Sequence, residues 1–173
     1  MKEEAKTIII DELEALKQRI IDNINSTGTN ASGRTIASLF VSITDDGGKL
    51  VSDRSGIPFF STLETGRKPG KIPFGFADTI RQWMKDKNIT ANPIPYIRKA
   101  SANWQPKYTP QERGEMSLAG AIAFSIRKHG SKLHQNGGRN DIYSNEIPQT
   151  IKNIREKLKG IATHEVKKSI KLN

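Results

Sequence analysis

Apolar residues recur along this chain with two different periods. Ile9, Leu13, Leu16, Ile20 and Ile24 are spaced four, three, four and four apart, the stripe of an amphipathic helix over residues 3–26. Glu3, Glu4, Asp11, Glu12 and Glu14 load its first half, where negative charge suits the helix dipole, and Asn25-Ser26-Thr27-Gly28 ends it. The stripe suits a helix packed on the core and one docked on another subunit alike. After a small-residue loop at 28–35, Thr35 to Thr44 is rich in β-branched residues and mostly alternates, with Leu39, Val41 and Ile43 on one face of a strand. Asp45-Asp46-Gly47-Gly48 reads as a hairpin turn and Lys49 to Ser52 as the returning strand. Asp53-Arg54-Ser55-Gly56 is a second turn, and Ile57 to Leu63 a third apolar, β-favouring stretch.

The second half returns to helical spacing. Phe76 or Ala77 to Lys87 is an amphipathic helix with Ile80, Trp83 and Met84, and Pro93 and Pro95 make 88–96 a rigid connection. Tyr96 to Asn103 reads as a short helix with Ile97 and Ala100 inward. Residues 103–114 are polar, interrupted by proline and carry Trp104 and Tyr108; they read as a protruding loop whose aromatics either meet a partner or fold back on the core. Ala119, Ile122, Ala123 and Ile126 give a helix over 115–129 a small face that can lie close against the sheet, with Gly130 as its left-handed stop. A second protruding loop, 131–143, contains Gly137 and Gly138. In the last helix, about 145–168, Ile147, Ile151, Ile154, Leu158 and Ile161 share one face, lysines and Arg155 cover the other, and Ser144 is the expected cap. The order predicts an α+β fold in a single domain, 1–173. An antiparallel meander of about three or four strands is packed by a long N-terminal helix (1–27), internal helices and a long C-terminal helix.

Between the third apolar stretch and the helix at 76 stands a turn built on Gly66, Pro69 and Gly70 and carrying Arg67, Lys68 and Lys71. Glycine reaches backbone angles that other residues resist, and proline stiffens the turn. The outcome is a rigid basic loop, either a wet surface turn or a contact loop.

Charge sharpens that choice. The chain carries a net +10, but residues 1–30 hold four Lys/Arg against six Asp/Glu, and the remainder 24 against 12. Such asymmetry argues for an acidic partner: nucleic acid, an acidic protein surface, or the acidic first helix of a neighbouring copy. Cysteine is absent, which excludes a disulfide framework, a thiolate metal site and a cysteine nucleophile. No apolar run approaches the roughly 18 residues of a membrane span. The start of the chain lacks a signal-peptide pattern, so synthesis in a cytosol is expected.

The motifs of chemistry are sparse. His129 and His134 are five apart with Gly130 between them, and no carboxylate lies at ligand spacing, so no metal or cofactor is expected. Gly66 to Lys71 and Gly137-Gly138-Arg139 are glycine-plus-cation loops, yet neither matches a P-loop, and no G-x-S-x-G elbow exists. A metal-dependent hydrolase would need converging carboxylates; Asp141, Glu146 and Glu112 are not spaced to require it. The expectation is a protein without catalysis or a small-molecule substrate. Between 67 and 99, eight cations stand against two acids, a face able to neutralise phosphates, although no nucleic-acid-binding signature accompanies it.

Four stretches carry a family resemblance: Leu63-Glu64-Thr65-Gly66-Arg67-Lys68-Pro69-Gly70; Ile80-Arg81-Gln82-Trp83-Met84 with Lys87-Asn88-Ile89; Ala121-Ile122-Ala123-Phe124-Ser125-Ile126-Arg127 with Gly130; and Gly137-Gly138-Arg139-Asn140-Asp141-Ile142-Tyr143-Ser144. Together they resemble the small tail-completion and head–tail joining proteins of tailed bacteriophages, in the form carried by phages of Bacteroidetes hosts. The excursion at 103–114 is not part of that pattern. The resemblance implies a virion structural protein, made in the host cytoplasm, whose copies form a ring in the neck between portal or adaptor and tail. Its partners would be further copies, the adjoining virion proteins and, non-specifically, phage DNA, with no membrane. The contact residues expected are Arg67, Lys68, Pro69, Gly70, Lys71 and Arg139; Trp104 and Tyr108, on the excursion outside that pattern, are the candidate partner-facing aromatics. The alternative is a small basic nucleic-acid-binding protein.

Overall fold

The structure is a computed structural model that describes residues 2–44, 47–52, 60–97 and 106–171. Its described elements are α1 (Lys2–Ser26), α2 (Arg34–Ala37), β1 (Leu39–Thr44), β2 (Gly47–Ser52), α3 (Thr62–Thr65), α4 (Phe76–Asp86), α5 (Pro110–His129), α6 (Lys132–Gln135) and α7 (Glu146–Lys171). The fold is mostly helical, which overturns the expected three- or four-stranded meander. The described sheet is one antiparallel pair, β1 with β2, in register from Leu39 opposite Ser52 to Thr44 opposite Gly47. The expected third strand ends instead in the helical turn α3; its described apolar residues, Phe60 and Leu63, are three apart and pack against the α1 core. So short an apolar run cannot separate strand from helix by periodicity. The turn at 53–56 and Ile57 to Phe59 lie outside the described residues, as do Asp45 and Asp46. Thr35 and Ile36, read as strand, are helical.

The chain divides into two compact units: Met1–Glu64 with Arg139–Asn173, and Thr65–Gly138. In the first unit, α1 lines up with α7, and both strands lie against α1. A two-stranded ribbon is marginal alone and needs such support. Leu13, Leu16, Ile20, Ile24, Leu39 and Ile142 form the buried core. Ile20, Ile24 and Ile142 are sealed almost completely, each contributing on the order of 1.5–3 kcal/mol by burial. Arg19 donates to Glu146 Oε2 and Thr150 Oγ1, both at 2.8 Å, while Lys157 pairs with buried Glu12 at 2.6 Å. These polar ties turn α7 about its axis relative to its apolar stripe. Thr150 is 2% exposed, whereas Ile147 and Ile151, expected inward, are 40% and 51% exposed.

In the second unit, α4 packs on α5. The small face of α5, Ala119 and Ala123, lies against Ile80 and Met84 of α4 rather than against a sheet. Helix α5 begins five residues earlier than its pattern suggested. Pro110 occupies its first turn, where no internal N–H partner is lost, and Thr109 with Glu112 forms a reciprocal capping box. The expected loop at 103–114 is therefore helix from residue 110. The other expected protruding loop, 131–143, contains α6 and the wholly buried Ile142. Ile97, expected inward, is fully exposed, and Ala100 lies outside the described residues. Among the described residues, no helix is long and apolar enough to cross a membrane.

Candidate functional site

The basic loop is fastened by its backbone. The Arg67 N–H donates to Ser131 Oγ at 2.9 Å, and the Ser131 N–H donates to the Arg67 carbonyl at 2.8 Å. The Gly70 N–H reaches the Arg127 carbonyl at 2.9 Å, satisfying one of the acceptors that the last turn of α5 leaves open. Two glycines permit this approach. A Cβ on Gly66 (φ +68°) would lie 2.6 Å from Ser131 Oγ, and one on Gly130 (φ +79°) would lie 2.8 Å from the Arg67 carbonyl oxygen. Gly130 ends α5 with an extended ψ of 177°, not in the left-handed helical region expected of it.

The three loop cations are not equivalent. Arg67 is half-buried: its guanidinium lies 5.0 Å from the centre of the Phe76 ring and donates to the Lys71 carbonyl at 3.2 Å. It braces the turn. Lys68, Pro69, Gly70 and Lys71 are exposed. Arg127 and Lys128 at the end of α5 and Lys132 on α6 are exposed too, on the segments to which the loop is tied. The charge follows the units. Thr65–Gly138 carries thirteen Lys/Arg and four Asp/Glu, a net of +9, leaving the other unit fifteen and fourteen, a net of +1.

Arg139 does not belong to this group. It lies in the first unit, where Asp141 holds its guanidinium through two hydrogen bonds of 2.5 and 2.8 Å. That pairing holds the Asp141 carboxyl below its ordinary range and raises the arginine. Tyr108 is half-buried, and its carbonyl accepts the Tyr96 hydroxyl at 2.8 Å. Trp104 lies outside the described residues.

Sequence reasoning gave Glu64 no role, yet its side chain organises the first unit. It is 2% exposed, and Oε1 accepts the backbone N–H groups of Ile142, Tyr143 and Ser144 at 2.9, 2.7 and 3.0 Å. The Ser144 hydroxyl donates to Oε2, so it is spent here rather than as the expected cap of α7. Burial pushes the Glu64 carboxyl up, but the four hydrogen bonds outweigh it and hold the group below its ordinary value. The Arg139 N–H closes the arrangement on the Glu64 carbonyl at 2.8 Å, joining the two points where the second unit leaves and rejoins the chain. The signals in the sequence were its place in the Leu63 to Gly70 stretch and the setting of an acid between an apolar residue, Leu63, and a turn.

A cleft of about 560 Å³ opens in the second unit. Ile80 and Trp83 of α4 and Ile122 and Ile126 of α5 give it an apolar lining, to which α6 adds Lys132 and Gln135. Among the described residues, no group of three His, Asp or Glu is placed to hold a metal ion. Comparison with protein-family models, curated proteins and solved structures finds no match to this chain.

Proposed function

We propose that the chain is a structural protein of a tailed-phage virion whose copies close into a ring in the neck, between portal or adaptor and tail. The observation that carries this reading is the separation of charge: one unit with a net of +9 and a braced loop displaying Lys68 and Lys71, the other with an acidic first helix. Two unlike surfaces on one chain are what a head-to-tail interface requires, and such interfaces generate rings when the rotation closes. A loop stiff before assembly also loses little freedom on docking. The residues of the family resemblance support the reading in another way: Glu64, Gly66, Gly130 and Ser144 all serve to hold the chain in shape.

Light scattering and electron microscopy across a concentration series test it. A rise in mass to a closed ring is expected, with Lys68→Glu and Lys71→Glu together giving unjoined heads and tails when the variant is assembled into particles. Infectious particles of normal form from that double variant would remove the contact loop. The same basic unit favours a second reading, a nucleic-acid-binding protein. A chain that stays monomeric throughout and binds duplex DNA with a steep salt slope would decide for it.

A further inference from the structure

We propose that the α4–α5 cleft receives the acidic outer face of α1 from a second copy of the chain. This inference rests on the ring reading and names the two surfaces that meet. The cleft is lined by apolar side chains, with Trp83 39% exposed among them, and by one cation, Lys132; Arg127 and Lys128 lie outside the lining, in the last turn of α5. Its occupant therefore needs an apolar anchor set among carboxylates. A nucleic-acid backbone offers phosphate charge but nothing aliphatic to cover isoleucine and tryptophan.

Helix α1 has that combination on its outward side. Leu13, Leu16, Ile20 and Ile24 are turned into the core, whereas Glu3, Asp11, Glu14 and Asp22 are exposed. Ile10, one residue before Asp11 and four before Glu14, is 40% exposed on the same side. Positions four apart share a helix face, so Ile10 and Glu14 reach a groove together. The local pairs of Glu3 with Lys6 and Glu14 with Lys17 are surface pairs, weak enough to exchange for a partner's cations. At 1.5 Å per residue the 25 residues of α1 extend about 37 Å, so its acidic positions are spread along a long rod.

The absence of cysteine makes the test clean. Asp11→Cys and Lys132→Cys are prepared separately, mixed at high concentration and oxidised. Both positions are exposed, so each variant keeps its fold. The expected result is a cross-linked species of twice the chain mass, at least tenfold above either variant oxidised alone. Adding Glu14→Lys to the first variant should lower the yield about tenfold. A mixed yield no greater than that of each variant alone, or one indifferent to Glu14→Lys, overturns the inference. Light scattering of the unmodified chain separates the two claims. Oligomers without the mixed cross-link refute this pairing and leave the ring standing; a monomer at every concentration refutes both.

Discussion

Replacing Glu64 probes the junction between the two ends of the first unit. In Glu64→Ala the N–H groups of Ile142, Tyr143 and Ser144 and the Ser144 hydroxyl lose their acceptor together. Ile142 is fully buried, so its amide has no ready route to water. An orphaned buried donor costs about 1–3 kcal/mol. Three amides, discounted for partial exposure of the last two, give a loss of about 3–5 kcal/mol, a large share of the roughly 5–15 kcal/mol typical of a domain. Glu64→Gln keeps one carbonyl oxygen for the amides and forfeits the charge, so about 1–2 kcal/mol is expected. Urea unfolding followed by circular dichroism measures both. The pH dependence supplies an independent sign. The folded carboxyl is held below its ordinary value, so its contribution is complete at neutral pH. That contribution declines as pH falls from about 4.3, the ordinary glutamate value, through the folded value. Glu64→Gln should lack that decline and approach the parent protein in acid. A cost below about 1 kcal/mol for Glu64→Ala, or parallel pH profiles for the parent and Glu64→Gln, would refute the assignment.

Three further outcomes are expected. Gly66→Ala places a methyl against Ser131 Oγ at φ +68° and should destabilise the second unit by about 2–4 kcal/mol; hydrogen exchange at the Arg67 and Ser131 amides would accelerate. Thr109→Ala removes one half of the capping box of α5 and should cost about 1 kcal/mol in thermal unfolding, with Thr109→Ser nearly neutral. Lys157→Met removes the hydrogen bond that, ahead of burial's opposing effect, chiefly holds the Glu12 carboxyl below its ordinary value. An NMR titration should find Glu12 moved upward, and the stability gap to the parent should be widest at neutral pH and close in acid; an unmoved Glu12 would show that Asn153 and Arg19 suffice.

Part of the fold was legible because its causes are local. The four-and-three spacing of Ile9 to Ile24 places α1 over Lys2–Ser26, and the same logic finds α4 and most of α7. Helix formation and capping act across three or four residues, so their signature lies in consecutive letters. The start of α5 was equally local, in Thr109 and Glu112, but the weight given to Pro110 as a breaker obscured it. The helical turn that takes the described end of the expected third strand has the opposite origin. Phe60 and Leu63 are as suited to a strand as to the turn they adopt, and only burial against α1 chose between them.

By itself, then, the sequence determined where the long helices run and that positive charge gathers after residue 30. Only the tertiary structure decided that residues 65–138 form their own unit, that α7 turns Thr150 inward ahead of Ile151, and that one glutamate holds a turn some eighty residues away. The reason is physical. Those choices depend on hydrogen bonds between groups far apart in the chain, such as Arg19 with Glu146 and Glu64 with Ser144, and no periodicity records such a pairing before the chain has folded.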